Sequence, residues 1–239
     1  MGKEMIGELE LNRIYQRDCI EGMRMLPDNS VDLLLTDPPY TMPTITAFGR
    51  KKVRNVADLS IQETYMKALK VEFERVLKPN SPIFIFCDDN YYTSIFRAFY
   101  DWNHTQMIVW DKNKIGMGKP FRKRHELIFY ANRESIDYHR SEGLTHYPTV
   151  LNYKPVGQER VHGAQKPVDL VSDIIRGFSM NGDIVLDCFM GSGTTAVASK
   201  ELARNFVGFE LNSDFIELAN QRLEAIERGS SLKEASHDE

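Results

Sequence analysis

A carboxylate, two prolines and an aromatic ring stand side by side in the segment Asp37-Pro38-Pro39-Tyr40. The segment directly follows residues 31–36, an apolar run with the length and composition of a buried strand. Because adjacent prolines fix two φ angles and lack N–H groups, the turn is stiff and its carbonyl oxygens stay available as acceptors. Ligands of open α/β sheets bind just beyond the carboxyl ends of the strands. The segment is therefore a candidate active site.

These atoms fit a flat, nitrogen-containing ring that carries an exocyclic amino group. The carboxylate of Asp37 and the carbonyl of Pro38 could accept the two amino hydrogens, while Tyr40 stacks on the face of the ring. Adenine and cytosine both carry such an amino group. A turn that merely ends a strand is the alternative, and a second motif is needed to decide between the two.

The second motif begins with a short apolar strand, residues 183–187, and continues as the turn Cys-Phe-Met-Gly-Ser-Gly-Thr-Thr, residues 188–195. Glycine allows positive φ and a close approach of ligands, and the first N–H groups of the following helix can bind an anion. The next predicted strand ends at Glu210, where an acid could hold a ribose diol. Because the third glycine of a dinucleotide fingerprint is absent, an adenosyl ligand is favoured over a pyrophosphate. A strand-to-helix turn without any ligand is the alternative.

With these two motifs in this order, the chain resembles the amino-methyltransferases of DNA that use S-adenosylmethionine. The resemblance is to the permuted class, in which the Asp-Pro-Pro-Tyr motif precedes the Phe-x-Gly-x-Gly-Thr motif, and it spans residues 14–222. Further matching segments follow in the order of the family: Asp18-Cys19, Arg75-Val76-Leu77-Lys78-Pro79, Trp110-x-Lys112, His125-Glu126 and His162-x-x-Gln165-Lys166-Pro167.

The resemblance implies a role for each residue at a matching position. The target base would be held by Asp37, Pro38, Pro39 and Tyr40. The residues that would bind S-adenosylmethionine are Asp18, Gln165, Lys166, Pro167, Asp187, Phe189, Gly191, Gly193, Thr194 and Glu210. Among these, Asp18 would lie near the adenine and Glu210 at the ribose, with Gln165, Lys166 and Pro167 covering the other side. One departure is Cys188, because the family usually has proline there, so the turn loses some stiffness.

The resemblance implies methyl transfer to an exocyclic amino group of a flipped-out base in double-stranded DNA. In the family, an aspartate at the first motif position leans towards adenine N6, so Asp37 favours adenine, with cytosine N4 as the alternative. A methyltransferase of RNA or of protein glutamine, and a DNA-binding subunit that has lost activity, remain further alternatives. Methylation of cytosine C5 needs a thiolate, and Cys19, Cys87 and Cys188 do not lie in a suitable turn.

The predicted fold is α/β, with a single doubly wound, mostly parallel sheet of Rossmann-like methyltransferase type and one antiparallel strand. A chain of 239 residues with 42% hydrophobic residues can bury one sizeable core. We predict one methyltransferase domain over residues 1–228, with a catalytic half at 14–131, a target-recognition segment at 132–161 and a cofactor half at 162–222. Residues 229–239 are polar and predicted to be disordered.

Periodicity and capping signals predict the individual elements. The capping box Ser60-Ile61-Gln62-Glu63 predicts a helix that begins there, and Ser213 is predicted to cap the last helix. The remaining predicted elements are strands at 82–87, 106–110 and 126–130 and helices near 91–100 and 167–178.

A formal net charge of −4 is unusual for a protein that binds DNA, but local charge is the relevant quantity. Two basic clusters flank the predicted active-site edge and are candidates for phosphate contacts: Arg50, Lys51, Lys52 and Arg54, and Lys119, Arg122, Lys123 and Arg124. The target-recognition segment also holds side chains that can read or stack on bases, namely Tyr138, His139, Arg140, His146, Tyr147, Asn152, Tyr153, Lys154, Gln158 and Arg160. Solvated surface loops are the alternative for both.

Composition bounds the remaining properties. Three unpatterned cysteines and six scattered histidines provide neither a disulfide framework nor a metal site, so no metal is expected. No signal peptide or membrane-length apolar run occurs, which predicts a cytoplasmic protein without a membrane partner. The resemblance leaves a homodimer open.

Overall fold

The structure is a computed structural model that describes residues 4–39, 56–116, 120–134, 147–157 and 165–229. Several residues predicted to act in the site lie outside these ranges: Tyr40, Arg50, Lys51, Lys52, Arg54 and Lys119. The predicted disordered tail also lies outside them, apart from Gly229.

Ten strands and six helices are present in the described ranges. The strands are β1 (Met5–Ile6), β2 (Leu9–Glu10), β3 (Arg13–Gln16), β4 (Leu33–Thr36), β5 (Ile83–Cys87), β6 (His104–Asp111), β7 (His125–Asn132), β8 (Val150–Asn152), β9 (Ile184–Asp187) and β10 (Asn205–Glu210). The helices are α1 (Cys19–Met23), α2 (Val56–Val76), α3 (Asp89–Ala98), α4 (Val168–Phe178), α5 (Thr194–Glu201) and α6 (Ser213–Glu227).

Eight of these strands form one sheet in the order β3-β10-β9-β4-β5-β7-β6-β8, and β1 and β2 form a separate hairpin. Strand β7 is antiparallel to both of its neighbours, β5 and β6. All other pairs of neighbouring strands in the eight-stranded sheet are parallel. The predicted mostly parallel sheet with one antiparallel strand is thus confirmed.

Helices cover both faces of the sheet. On one face α1, α2 and α3 pack on alternate strand side chains such as Leu34 and Ile85. On the other face α4 and α5 pack on Leu33 and Phe84, and α5 and α6 pack on Phe206. Because both faces are buried, the central strands are continuously apolar, as their sequences are. This arrangement confirms the predicted doubly wound fold.

The strand order reverses between β4 and β9, which are neighbours with Leu33 opposite Val185 and Leu34 opposite Leu186. From β4 the chain continues to α2 on one face, whereas from β9 it continues to α5 on the other face. The two connections diverge and leave a crevice at the carboxyl ends of these strands, where ligands of doubly wound folds bind. The two motifs of the sequence begin at this point.

The predicted N-cap residues of two helices are wrong. Helix α2 begins at Val56, so the predicted capping residue Ser60 lies inside the helix, where its carbonyl accepts from Oγ1 of Thr64. No proline or glycine occurs between Val56 and Ser60 to prevent a helical backbone. Helix α6 is capped by Asn212, whose side chain accepts from the N–H of Asp214. Asn and Ser are both good N-cap residues, so the sequence does not distinguish them.

Candidate active site

A cavity of about 650 Å³ opens at the carboxyl ends of β3, β10, β9 and β4. This volume suits a ligand of the size of a nucleoside derivative. Of the residues predicted to form the site, those that line the cavity are Asp18, Asp37, Pro38, Pro39, Gln165, Lys166, Asp187, Phe189, Gly191, Thr194 and Glu210. Pro167 and Gly193 do not line it, since Pro167 caps α4 and Gly193 faces α6. Residues far apart in the chain are therefore brought to one cavity.

Asp37, the first residue beyond the Thr36 end of β4, forms an ion pair with Lys166 inside the cavity. The side chain of Lys166 is only 9% exposed, and its Nζ lies 5.1 Å from the centre of the Phe86 ring. Burial opposes the charge of Lys166, but the carboxylates of Asp37 and Glu126 outweigh it and raise its pKa. Lys166, predicted to cover the cofactor, thus contacts the predicted base-binding residue.

Glu126 continues this chain of charges. Its Oε2 lies 3.4 Å from Nζ of Lys166, and its Oε1 accepts from Nζ of Lys112. The ammonium of Lys112 lies 4.8 Å from the centre of the Trp110 ring, in the geometry of a cation–π contact. Two lysines and two carboxylates thus alternate from Asp37 to Lys112, and Glu126 also lines the cavity. In the sequence, Trp110-x-Lys112 and His125-Glu126 were named as segments that match the family, but no role was assigned to Lys112 or Glu126.

The floor of the cavity joins the two motifs through a buried carboxylate. Asp187 at the end of β9 accepts from Oγ1 of Thr36 at 2.7 Å, from Oγ1 of Thr195 at 2.6 Å and from the N–H of Phe189 at 3.0 Å. Oγ1 of Thr36 in turn accepts from the N–H of Cys188 at 3.2 Å. Proline could not make that bond, so the departure at Cys188 replaces ring stiffness by a hydrogen bond to Thr36, the last residue of β4 before the first motif.

The buried Asp187 gives a prediction for stability. Burial raises its pKa from the ordinary 3.8 to about 6, although three hydrogen bonds oppose the rise. The folded state therefore binds more protons than the unfolded state between these pKa values, and its stability falls as the pH rises through this window. We expect the free energy of unfolding of Asp187→Asn, minus that of the wild type, to increase by about 2 kcal/mol from pH 4.5 to 7. Urea unfolding at several pH values measures this difference, and parallel curves would contradict it.

The glycine turn after β9 is tied to the carboxylate of Glu210. The N–H of Gly191 donates to Oε2 of Glu210 at 2.9 Å, while Oε1 of Glu210 accepts from the N–H groups of Leu211 and Asn212 at 2.9 Å each. Gly191 has φ +52°, in the region that favours glycine. The turn and the acid at the end of β10 thus form one unit at the edge of the cavity.

A buried guanidinium supports the glycine turn from behind. Arg222 of α6 donates through Nη1 to the carbonyl of Ser192 at 2.5 Å and to Oγ1 of Thr194 at 3.3 Å. Sequence reasoning assigned this arginine no role. The sequence feature that could have identified it is its spacing from Ala219 and Leu223, because this spacing places Arg222 on the buried face of the same helix.

Gly193 gives a second prediction, because the φ of +82° and close packing both require glycine there. An added Cβ would lie 2.5 Å from the Cβ of Ala219. We expect Gly193→Ala to lower the free energy of unfolding by about 3 kcal/mol, from left-handed strain and overpacking together. The matched control is Gly182→Ala, at φ +84° in open space, which should lose only about 1 kcal/mol. Equal losses in urea unfolding would show that the contact with Ala219 is unimportant.

The cavity continues to the end of β3, where Asp18 caps helix α1. One carboxylate oxygen of Asp18 accepts from the N–H groups of Ile20 and Glu21, at 2.9 and 3.2 Å. Asp18 is thereby held in place at the cavity wall, together with Leu211 and Phe215 from the far side of β10. The wall combines the charged residues Arg17 and Asp18 with apolar side chains, and such a mixture suits a flat heterocycle with polar edges.

The three cysteines are all buried. Burial raises the pKa of Cys19 to about 11, and it also raises the pKa values of Cys87 and Cys188. Thiols in this state are poor nucleophiles at neutral pH. This agrees with the expectation that the chain does not use the thiolate chemistry of cytosine C5 methylation. No group of three or more potential metal ligands occurs among the described residues.

Part of the predicted target-recognition segment is built into the fold. Val150–Asn152 forms the edge strand β8, beside β6. Oη of Tyr147 donates to the carbonyl of Asp173, and Oη of Tyr153 donates to its carboxylate. The hydroxyls of these two tyrosines anchor the segment to α4, and their predicted contact with bases stays a prediction. Among the described candidates, Asn152 and Lys154 remain exposed.

The described residues of the second basic cluster, Arg122, Lys123 and Arg124, are exposed between β6 and β7, at the same edge of the sheet as the cavity. Within the protein, Lys123 pairs with Asp89, Arg124 with Asp111 at 2.7 Å, and Arg122 donates to a backbone carbonyl at 2.8 Å. Contacts with phosphates would therefore replace or share these partners. Phe121 in the same cluster is 89% exposed.

Three comparisons with known proteins bear on this site. Residues 31–221 match the sequence model of the family N6_N4_Mtase, described as DNA methylase. The YubD protein of Escherichia coli (strain K12) is 29% identical over 241 residues, covering 95% of this chain and 97% of that protein. Type II methyltransferase M.HinfI of Haemophilus influenzae is 27% identical over 262 residues, covering 95% and 72%. The crystal structure of the M1.HpyAVI–SAM complex superposes with a TM-score of 0.67 at 25% identity, over 88% of this chain and 98% of that one.

Proposed function

Since the chain belongs to the DNA methylase family of N6- and N4-amino-methyltransferases, we propose that it methylates the N6 amino group of adenine at a specific site in double-stranded DNA. The observation that supports this proposal is that Asp37 and Pro38 line the same cavity as Gly191 and Glu210. The group that would receive the methyl and the group that would supply it can therefore meet in one enclosed place.

The amino nitrogen of adenine is a weak nucleophile because its lone pair is delocalised into the ring. Hydrogen bonds from its two hydrogens to the Asp37 carboxylate and the Pro38 carbonyl would help to localise the lone pair on nitrogen. The stiff double-proline turn keeps these acceptors in a fixed orientation, and fixed acceptors need no reorganisation during the reaction. Tyr40 would stack on the base, although it lies outside the described residues.

The cofactor of this family is S-adenosylmethionine, which supplies a methyl group on a sulfonium sulfur. The donor set of the cavity fits this molecule. Glu210 offers a carboxylate for ribose hydroxyls, Asp18 and Phe215 offer a wall for adenine, and the turn at Phe189 and Gly191 offers backbone for the methionine part. The binding roles of Gln165, Asp187 and Thr194 are also part of this proposal, whereas Lys166 belongs to the base-binding side.

A paired base presents its amino group to the partner strand, so the target nucleotide must leave the duplex, which costs a few kcal/mol. The basic cluster Arg122, Lys123 and Arg124 would bind the backbone phosphates beside the cavity, with a steep dependence on salt. The exposed ring of Phe121 in the same cluster is suited to stacking on bases. Further phosphate contacts are proposed, from sequence position alone, for Lys119 and for the cluster of Arg50, Lys51, Lys52 and Arg54.

The test is methyl transfer from labelled S-adenosylmethionine to bacterial DNA that lacks amino-methylated bases, followed by analysis of the nucleosides. We expect the label in N6-methyladenine. Label in N4-methylcytosine would overturn the choice of base and leave the DNA methyltransferase activity intact. Binding of the cofactor without transfer to DNA would favour RNA or protein as the substrate, or a missing partner, whereas failure to bind the cofactor would favour the inactive DNA-binding subunit. Sequencing of the labelled product would map the site.

Other predictions extend this proposal. We propose that residues 1–228 act as one methyltransferase domain with a catalytic half, a recognition segment and a cofactor half. Among the helices of the described ranges, none combines the length and the apolarity needed to cross a membrane. A cytoplasmic location and a homodimer remain predictions, which cell fractionation and light scattering can test.

A further inference from the structure

The ammonium of Lys166 lies between two carboxylates, at unequal distances. It donates a hydrogen bond to Oδ2 of Asp37, whereas Oε2 of Glu126 lies 3.4 Å away, outside the usual range for a charge-assisted hydrogen bond. That oxygen of Glu126 is buried and accepts no hydrogen bond of good geometry from the described residues. Lys166 thus donates to one carboxylate and lies beside a second carboxylate, which its ammonium could reach by a small movement.

The occupied acceptor is the one that the proposed reaction needs. A target amino group must donate to the carboxylate of Asp37, and the ammonium of Lys166 donates to that carboxylate in this structure. An ammonium is similar in size and hydrogen-bonding character to the amino group that would arrive. Lys166 therefore occupies the place of the substrate in the protein without DNA.

We propose that Lys166 is a positioning residue that leaves Asp37 for Glu126 when the target base enters, so that Glu126 controls access of the amino group to Asp37. This inference rests on the proposed function. Both carboxylates line the cavity, so the movement of the ammonium takes place inside it. No charge is exposed or lost, because the lysine exchanges one buried anionic partner for another.

The surroundings of Glu126 support this role. Lys112 pairs with its Oε1 and contacts the face of Trp110, so Glu126 is held through the carboxylate oxygen that does not face Lys166. The ring of Phe86 lies 5.1 Å from Nζ of Lys166, a cation–π distance that favours the ammonium at this depth. Glu126 is thereby held as a second carboxylate beside the buried ammonium of Lys166.

The experiment compares the wild type with Glu126→Gln, which keeps the shape of the side chain and removes its charge. With DNA lacking amino-methylated bases as the substrate, we expect kcat to fall about 10- to 100-fold. The KM for S-adenosylmethionine should stay within about twofold, and the melting temperature should stay within a few degrees. The matched control is Glu72→Gln, since Glu72 also bridges two cations, Arg24 and Arg75, but does not line the cavity. This control should keep the wild-type kcat.

A double variant separates this role from a structural one. Glu126→Gln removes the carboxylate to which Lys166 would move, so Lys166 should stay on Asp37. Adding Lys166→Met should therefore raise kcat at saturating cofactor by at least about fivefold. If kcat does not rise, or if Glu126→Gln has the kcat of the wild type, the proposal is overturned while the methyltransferase function stands. A fall in melting temperature that parallels the loss of kcat would also overturn it. A wild type that transfers no methyl group to DNA would overturn the proposed function and this inference together.

Discussion

Asp37→Ala is expected to lower the rate of methyl transfer to DNA at least about 10³-fold, a larger loss than we expect from any other single substitution in the cavity. The substitution removes the acceptor that would hold one amino hydrogen of the target base and help to localise the lone pair. The dissociation constant of S-adenosylmethionine should change by less than about threefold, because the proposed partner of Asp37 is the base and not the cofactor. Label transfer and equilibrium binding measure the two quantities separately.

The control for this prediction is Asp28→Ala. Asp28 pairs with Arg75 at 2.9 Å and lies before β4, whereas Asp37 follows that strand, so the two acids stand at opposite edges of the sheet. Removing this exposed acid should leave the rate unchanged. Folding of the Asp37 variant is expected to survive, since Lys166 keeps Glu126 within reach as its counter-charge. An Asp37 variant that keeps more than a tenth of the activity would exclude a direct role for this carboxylate.

Glu210→Ala is expected to weaken the binding of S-adenosylmethionine about 100-fold, equivalent to about 2.7 kcal/mol. Two effects add in the same direction. The variant removes the acceptor for the ribose hydroxyls, and it leaves the N–H of Gly191 without the carboxylate that ties the glycine turn to β10. Hydrogen bonds to a charged group contribute about 1.5–3 kcal/mol each, so the expected loss is of this order.

Isothermal titration with the cofactor measures this loss of affinity. The variant Glu210→Gln separates the contribution of the charge from that of the oxygen acceptor. Glutamine keeps one oxygen acceptor but no charge, so an intermediate loss of about tenfold is expected. Glu224→Ala is the control, because Glu224 is an exposed acid on α6 that pairs with Arg228 at 2.8 Å. A loss in Glu210→Ala that is no larger than in this control would mean that the cofactor does not use the end of β10.

Sequence patterns predicted those helices and strands well whose conformation depends mainly on residues nearby in the chain. The strands at Ile83–Cys87 and Ile184–Asp187 are short apolar runs between turn residues, and both form as predicted. The start of α2 was mistaken because a capping box is one of several arrangements that the same residues allow. Strand β8 was not predicted, since three residues at a sheet edge carry too little periodicity to be recognised.

The sequence by itself determined the fold class, the family and the two motifs. Each motif is a contiguous segment whose backbone conformation is set by its own residues, by prolines in the first motif and by glycines in the second. Only the tertiary structure decided which side chains meet. Lys166 is 129 residues from Asp37 in the chain, and the sheet order brings them together. The sequence resemblance placed this lysine at the cofactor, whereas in the structure its ammonium contacts Asp37, the residue proposed to bind the base, and Glu126. Contacts of this kind depend on the order of the strands in the sheet and on the face of the sheet to which each side chain points. A local sequence pattern does not contain the strand order.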